Sequence, residues 1–291
     1  MLALVLASCA PKPPPPPAAQ PKQLVGQPYR LGALWYYPRE NYGLDETGLA
    51  AVIADNKVGR RTTDDEVFDP AVLMASHRTV QLPAILRVTN LENGRSLLVR
   101  ANDRGPENPG RVVGLSRRAA ALLGIAENGT AQVRVQVEAE PSRALAASLP
   151  QAAGEAPAMQ IATVQTAAVG RESLPPPPGA RGTAGPALSA AAPAVAIRAE
   201  APPPPPRLPE QVTQGLAMPG RLFIQLGTFA APDAARRQAA RVPAARAEPF
   251  GPGRRPEWRV RLGPFPDATS TDRALEQVLR SGVSEARVLV D

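Results

Sequence analysis

Runs of proline limit what this chain can fold into more than any other feature of its sequence. Of its 291 residues, 36 are proline, and many of them lie in three runs at residues 11–21, 175–178 and 202–206. Such runs favour an extended polyproline II conformation and do not build a core. They predict two small globular units joined by disordered segments: a tether at 10–27, a first unit at 28–138, a linker at 139–219 and a second unit at 220–291.

Composition narrows the classes of function. Aromatic residues make up only 4% of the chain, so each core must rest on valine, leucine, isoleucine and alanine. The net charge of +7 comes from scattered arginines without a basic block, which does not support a nucleic-acid partner. One histidine and one cysteine are too few ligands for a zinc site, and no glycine-rich phosphate loop is present. We therefore expect neither a metal nor a cofactor.

The single cysteine lies in a setting of its own. Leu6-Ala7-Ser8-Cys9 follows an apolar run at residues 2–6 that is too short to span a bilayer. The four residues resemble the lipobox of bacterial lipoproteins, which would make 1–9 the lipoprotein signal segment. In such proteins the signal peptide is cleaved before the cysteine, whose thiol carries diacylglycerol; the alternative is a chance cysteine. Because Ala10 is not the aspartate that retains many lipoproteins at the inner membrane, the resemblance implies an outer-membrane anchor facing the periplasm.

Residues 87–106 have the pattern of a β-hairpin. Asn93-Gly94 is a strong turn signal between two apolar segments, and Gly105-Pro106 ends the second strand. The hairpin would present Asn102, Asp103 and Arg104 at its exposed end. Catalytic groups are often placed at such ends of rigid strands.

The rest of the first unit shows several short strands and one helix. Strands are expected at 31–37, 80–83, 85–90, 96–102 and 131–137, and residues 39–61 are expected to form a long loop. Ser116 is a suitable N-cap for a helix at 117–123 that Gly124 ends. Many short strands with one helix predict a mainly β unit, a small barrel.

The second unit has the order β-α-β-β-α-β. Strands are expected at 222–229, 247–250, 258–262 and 286–290, with helices at 233–241 and up to Leu279, the latter capped by Asp267 or Thr271. This order gives a small ferredoxin-like α+β fold, a four-stranded sheet backed by two helices.

Several motifs resemble those of known families. The first unit resembles the rare lipoprotein A family, septal ring lytic transglycosylases with a six-stranded double-psi β-barrel, over about residues 29–137. The second resembles the SPOR domain, which binds peptide-stripped glycan. The matching motifs are Trp35-Tyr36, Asp65-Glu66-Val67-Phe68-Asp69, Ala75-Ser76-His77-Arg78-Thr79, Arg87-Val88-Thr89-Asn90-Leu91, Asn93-Gly94-Arg95, Asn102-Asp103-Arg104-Gly105-Pro106, Phe223-Ile224-Gln225-Leu226-Gly227-Thr228-Phe229 and Arg259-Val260-Arg261-Leu262-Gly263-Pro264-Phe265.

This resemblance implies an activity and catalytic residues. The reaction is endolytic cleavage of the β-1,4 bond between N-acetylmuramic acid and N-acetylglucosamine at the division septum, leaving 1,6-anhydro ends. Asp103 is expected to be the acid and base, or else a strand-end aspartate that accepts turn amides. Glu66 is a second carboxylate or a solvated acid, and His77 has a supporting role. Asp65 replaces the glycine of the family motif.

The resemblance also implies residues that bind glycan. Trp35 and Tyr36 would stack on sugars or pack in the core, and Asn102 and Arg104 would meet the substrate beside Asp103. In the second unit the expected glycan-binding residues are Gln225, Trp258, Arg259 and Arg261. Peptidoglycan is the expected partner, with the lipid anchor at Cys9 as the membrane contact and divisome proteins as further partners.

One departure from the family leaves the activity open. Gly114 in Gly114-Leu115-Ser116 stands where the family usually has aspartate, which puts strong catalysis in doubt. The alternative is a non-catalytic, expansin-like glycan-binding lipoprotein of the septum. A third class, a purely structural tether, would localise to the septum without residues 220–291.

Overall fold

The computed structural model describes residues 19–152, 207–251 and 257–291. Cys9 and its predicted lipidation, and most of the predicted linker, lie outside the described residues. Within the described part no helix has both the length and the apolar character needed to cross a membrane.

The first unit contains nine strands and two α-helices in the described residues. The helices are α1 (Arg117–Leu122) and α2 (Ala139–Ala147). The strands are β1 (Tyr29–Leu31), β2 (Leu34–Tyr36), β3 (Asp45–Val52), β4 (Met74–His77), β5 (Ala84–Asn90), β6 (Arg95–Asp103), β7 (Val113–Leu115), β8 (Thr130–Val137) and β9 (Thr213–Gln214).

Six of these strands close into a barrel, as the sequence predicted. They are ordered β4-β7-β3-β8-β5-β6, and β4 pairs with β6 to complete the ring. The interior is filled by small and branched apolar side chains such as Leu86, Val99, Leu115 and Val133, all at most 1% exposed. With few aromatic residues in the chain, close packing of these side chains supplies the core.

The predicted β5–β6 hairpin is confirmed. Thr89 pairs with Ser96 across a loop in which Gly94 has a φ of 78°, a conformation that favours glycine. The Oδ1 of Asn93 accepts a hydrogen bond from the Arg95 amide at 2.9 Å and tightens the turn. The second strand ends at Asp103, so the hairpin presents this residue at its end.

Several strand predictions in the first unit differ from the structure, and β4 and β7 lie where no strand was predicted. The expected loop at 39–61 contains β3, which pairs with both β7 and β8 inside the barrel. Its middle, Gly48-Leu49-Ala50, is buried on both faces and consists of residues with low or moderate strand preference, so neither alternation nor β propensity marks it. At 80–83 the backbone makes only an isolated bridge, between Leu82 and Leu24.

The expected strand at 31–37 is instead part of a separate hairpin. Strands β1 and β2 pair with each other as a two-stranded sheet, and Gly32, with a φ of 61°, lies in the turn between them. Trp35 and Tyr36 therefore lie outside the barrel sheet.

The predicted linker is ordered at both ends. Helix α2 is anchored by Ser142, whose hydroxyl accepts a hydrogen bond from the Ile85 amide at 2.9 Å. Strand β9 pairs with the barrel strand β6. Composition alone predicted disorder here, but these segments gain order from specific hydrogen bonds to the barrel rather than from a core of their own.

The second unit has the predicted β-α-β-β-α-β order. Its strands form an antiparallel sheet in the order β11-β12-β10-β13, and Asp267 caps α4 by accepting a hydrogen bond from the Ser270 amide at 2.7 Å. The elements are β10 (Leu222–Phe229), α3 (Pro232–Ala240), β11 (Arg246–Phe250), β12 (Glu257–Phe265), α4 (Ala268–Arg280) and β13 (Arg287–Val290).

Candidate active site

Asp103 is held at the end of β6 by a set of donors. Its Oδ1 accepts hydrogen bonds from the Thr63 amide (3.1 Å), the Thr63 hydroxyl (2.7 Å) and the Arg104 amide (2.8 Å). Its Oδ2 lies 3.7 Å from Nζ of Lys57, and the side chain is 19% exposed. The carboxyl group is thus fixed through one oxygen, while the other is directed toward a lysine at the surface. Asp103 accepts hydrogen bonds from backbone amides, as expected for a structural aspartate. It is also partly exposed, as expected for a catalytic one.

Glu66 lies beneath this site in a buried polar cluster. Its Oε2 accepts hydrogen bonds from Arg100 at 2.9 Å and from Nδ2 of Asn102 at 2.8 Å. Glu66 is 4% exposed and Asn102 only 1%. In this structure the Asn102 side chain is directed to Glu66 on the inward face of β6, and its contact with glycan stays a prediction. Asp65, with a φ of 73°, occupies the left-handed conformation that suits the glycine of the family motif.

The cluster contains a second carboxyl group, Asp64, which the sequence did not single out. Asp64 is fully buried, and its Oδ1 accepts hydrogen bonds from the Thr62 hydroxyl at 2.7 Å and the Glu66 amide at 3.1 Å. Burial and the negative charge of Glu66 raise the pKa of Asp64 to about 7. The carboxyl group of Asp64 therefore titrates near neutral pH. In the sequence, the acidic run Asp64-Asp65-Glu66 instead suggests a carboxylate exposed to solvent.

His77 is buried and holds Glu46, another residue that the sequence did not single out. The Nδ1 of His77 accepts hydrogen bonds from the amides of Thr79 (3.3 Å) and Val80 (3.2 Å). The proton is therefore assigned to Nε2, which lies 2.7 Å from Oε1 of Glu46. Burial acts to raise the pKa of Glu46, but the His77 hydrogen bond and nearby positive charges, including Arg287, lower it overall. Glu46 was not predicted as a site residue because residues 39–61 were expected to form a loop, whereas Glu46 lies in strand β3.

Strand register brings these groups to one end of the barrel. Ser76, beside His77, pairs with Asp103 across β4 and β6, and pairs with Gly114 across β4 and β7. A cleft of about 740 Å³ lies beside Ser76 and Gly114, and Asp103 adjoins it through Ser76 and Lys57 without being part of its lining. The cleft is lined by residues that include Lys57, Ser76, Glu107, Arg111 and Gly114. The described residues contain no group of three or more histidine, cysteine or acidic side chains suited to a metal ion.

Arg104 contacts the backbone around His77. Its guanidinium donates to the carbonyl oxygens of Val80 at 2.6 Å and His77 at 3.4 Å, and lies 5.9 Å from the centre of the Tyr29 ring. These contacts fix the backbone around His77. The contact of Arg104 with the substrate stays a prediction.

The aromatic residues of the first hairpin differ in exposure. Tyr36 packs against Tyr29, with ring centres 5.8 Å apart, and beneath the guanidinium of Arg78. Trp35 is 58% exposed. Trp35 and the neighbouring Tyr37, which is 65% exposed, are therefore available for stacking.

Gly114 is closed to larger side chains by its neighbours. A Cβ atom at this position would lie 2.4 Å from the Ser76 hydroxyl and 3.1 Å from Cγ1 of Ile53. The hydroxyl of Ser76 thus occupies the space next to the position at which the family usually has an aspartate. A side chain at position 114 would therefore compete with the Ser76 hydroxyl for this space.

We expect Gly114→Asp to destabilise the fold by about 1–3 kcal/mol through overpacking. The double variant Ser76→Ala/Gly114→Asp should recover most of that loss, because the closest contact is removed. Urea unfolding of both variants and of Ser76→Ala alone measures the coupling. Equal destabilisation by Gly114→Asp with serine or alanine at position 76 would contradict the steric explanation.

The second unit has an open sheet face with a cationic row. Arg246, Arg261, Gln225 and Arg287 pair in register across all four strands. Their neighbours, such as Ile224, point to the opposite face and pack in the core with the helices.

Two other predicted glycan-binding residues of this unit lie on opposite faces. Arg259 forms an ion pair with Asp291 at 3.1 Å. Trp258 alternates with Arg259 and packs against the helix-side core. The open face therefore lacks the tryptophan that the sequence suggested for it.

Comparison with known proteins gives consistent matches in both units. A family model described as lytic transglycolase matches residues 46–135, and a SPOR domain model matches residues 219–288. The first match begins at β3, so Trp35-Tyr36, which the resemblance placed among the family motifs, precede it.

Full-length relatives extend these matches. The endolytic peptidoglycan transglycosylase RlpA of Pseudomonas aeruginosa strain UCBPP-PA14 is 32% identical over 269 residues, covering 86% of this chain and 72% of that protein. The proteins of the same name from Yersinia pestis and Vibrio cholerae are 39% and 40% identical over 117 and 95 residues, covering 40% and 33% of this chain and 31% and 36% of theirs. The chain therefore belongs to the RlpA family.

Proposed function

We propose that this protein is a lytic transglycosylase of peptidoglycan, with Asp103 as its acid and base. The observation that carries the proposal is the fixed carboxyl group of Asp103 at the barrel end, beside the cleft that Lys57 and Ser76 line. The names of the relatives support the same activity.

The reaction needs only one group that moves protons. The 6-hydroxyl of the muramyl residue attacks its own anomeric carbon, and the bond from that carbon to the leaving oxygen breaks. Asp103 gives a proton to the leaving oxygen and accepts the proton of the attacking hydroxyl. Because Oδ1 already accepts from Thr63 and Arg104, Oδ2 is the oxygen that carries this proton. No water is consumed, and the product ends in a 1,6-anhydro ring.

Two other carboxyl groups, Glu66 and Glu46, have supporting roles in this proposal. Glu66 is buried and anchors Asn102, the residue before Asp103, so it positions the end of β6. Glu46, held by His77 and 23% exposed, is the nearer candidate to meet a sugar or the positive charge at the anomeric carbon. In this proposal Glu66, the glutamate of the family motif, positions Asp103 by holding Asn102 in β6.

The second unit and the anchor would determine where the enzyme acts. The open sheet face of the second unit, with Gln225, Arg259 and Arg261, is the proposed surface for peptide-stripped glycan of the septum. Lipidation at Cys9 would hold the protein at the outer membrane, facing the periplasm. Tethering of this kind raises the effective concentration of substrate at the cleft.

The test is the chemistry of the products. Purified protein incubated with amidase-treated sacculi is expected to release fragments with 1,6-anhydromuramyl ends, which mass spectrometry distinguishes from reducing ends by the mass of one water. Binding of sacculi without any such product would leave the expansin-like alternative, in which Gly114 accompanies a loss of turnover. Reducing ends alone would indicate a hydrolase.

A further inference from the structure

We infer that the second unit docks on the barrel at the loop behind the active site, so that glycan bound by its sheet reaches the cleft at a fixed distance. The functional part of this inference rests on the proposed function; the docking does not. Both parts belong to one compact unit of the fold.

The first contact joins two strand edges. The hydroxyl of Thr47, on the barrel strand β3, donates to the carbonyl of Val290 on β13 at 2.6 Å and accepts from the Val290 amide at 3.2 Å. Both polar groups of one backbone residue at the sheet edge are therefore satisfied by a single barrel side chain. Such a reciprocal pair fixes the register between the two elements.

The second contact is apolar. Leu49 on β3 is 2% exposed and packs in the core cluster of the second unit, whereas its neighbour Ala50 packs in the barrel core. Strand β3 is thus buried on both faces, inside by the barrel and outside by the second unit. If the second unit were detached, Leu49 would be an exposed leucine on the barrel wall.

The third contact is an ion pair beside the cleft. Arg111 donates two hydrogen bonds to Asp272 on α4, at 2.7 and 2.8 Å, and also lines the cleft. A Cβ atom at Gly110 would lie 2.5 Å from the same carboxylate. Helix α4 therefore lies directly on the loop that follows Asp103 in sequence.

The described segment just before the second unit, residues 213–220, is bound along the barrel. Strand β9 extends the barrel sheet beside β6, the Gly215 amide donates to Gly94 at 2.8 Å, and the Met218 amide donates to Leu91 at 2.7 Å. The Gly220 amide then donates to the Gln132 side chain at 2.9 Å. The last residues before the second unit are consequently not a free tether.

In this arrangement the row of arginines on the open sheet face leads toward the active-site end of the barrel. The row ends at Arg287 on β13, and the charge of Arg287 acts on Glu46, which His77 holds at the barrel end. A glycan lying along the row from Arg246 to Arg287 would continue toward the active site. The docked unit would then set how far from the bound segment the strand is cut.

The docking is tested by a distance measurement on the full chain with Cys9→Ser. Spin labels are placed at Ala121→Cys on α1 and Ser284→Cys after α4, both exposed, and their separation is measured by double electron–electron resonance. We expect one narrow distribution. Leu49→Ser with Asp272→Lys should broaden it severalfold, and Asp272→Lys alone should do so in part. The charge swap Arg111→Asp/Asp272→Arg should restore the narrow distribution.

The matched control is Asp233→Lys, an exposed acid on α3 that pairs with Arg236 of its own helix, and it should change nothing. A broad distribution in the unaltered chain, or a narrow one in the double variant, would overturn the docking. Product lengths give the second readout: the double variant should lose the preferred fragment length while cleavage of short glycan continues. An inactive unaltered protein with a narrow distance would refute the proposed function and leave the docking intact.

Discussion

Asp103→Asn is expected to reduce the rate of anhydromuropeptide release by about a hundredfold to ten-thousandfold, the range for loss of a positioned acid and base. Asparagine has nearly the same shape and keeps a carbonyl oxygen that accepts from Thr63 and the Arg104 amide. It cannot carry a proton to the leaving oxygen or remove one from the attacking hydroxyl. The loss should therefore appear in kcat, with sacculus binding unchanged.

The matched control is Asp65→Asn, in the same turn region. Asp65 has a positive φ that asparagine also tolerates, and its carboxylate pairs with Arg61 at 3.2 Å. This variant should keep nearly full activity. If Asp103→Asn retained more than about a tenth of the rate, the proton transfer would have to be assigned elsewhere, since a group in that role supplies more than this. Glu46 would then be the first candidate.

The sequence predicted those parts of the site that depend on local signals. The Asn93-Gly94 turn and the Gly105-Pro106 break place Asp103 at a strand end without any knowledge of the fold. The helix N-caps Ser116 and Asp267 are predicted for the same reason. Each side chain accepts a hydrogen bond from the amide three residues later, so the signal lies within a short stretch of sequence.

What the sequence did not predict depends on contacts between distant segments. The middle of strand β3, Gly48-Leu49-Ala50, is buried by the barrel on one side and by the second unit on the other, so no local pattern marks this strand or Glu46 at its start. Strand periodicity places Trp258 opposite Arg259, but which face is open depends on where the helices pack. Asp64 has the composition of a solvated acid, and only the fold buries it.

Asp64→Asn is expected to stabilise the protein at pH 8 by as much as about 4 kcal/mol, because roughly three pKa units separate the folded and unfolded states at about 1.4 kcal/mol each. The folded pKa is about 7, above the ordinary value of 3.8, so the folded state holds a proton that the unfolded state releases. The contribution of Asp64 to the free energy of unfolding is therefore fully present below about pH 4. It falls as the pH rises to about 7 and is constant above that.

Asparagine removes this cost while keeping the local contacts. Its carbonyl oxygen would accept from the Thr62 hydroxyl and the Glu66 amide as Oδ1 does now. Its amide replaces Asp64 Oδ2, which has no hydrogen-bond partner and is buried like Oε1 of Glu66. An amide donor near that glutamate would relieve the repulsion between two acids without leaving a buried charge unpaired.

Urea unfolding at pH 4, 6 and 8 measures the effect as a difference between variant and wild type, so groups that titrate in both proteins cancel. The gain should be near zero at pH 4 and largest at pH 8. Asp65→Asn, in which the replaced side chain is 35% exposed, should differ from wild type by less than about 0.5 kcal/mol throughout. A gain that is the same at all three pH values would mean that Asp64 is already ionised in the fold. The buried cluster under Asp103 would then carry one more negative charge than its single arginine, Arg100, balances.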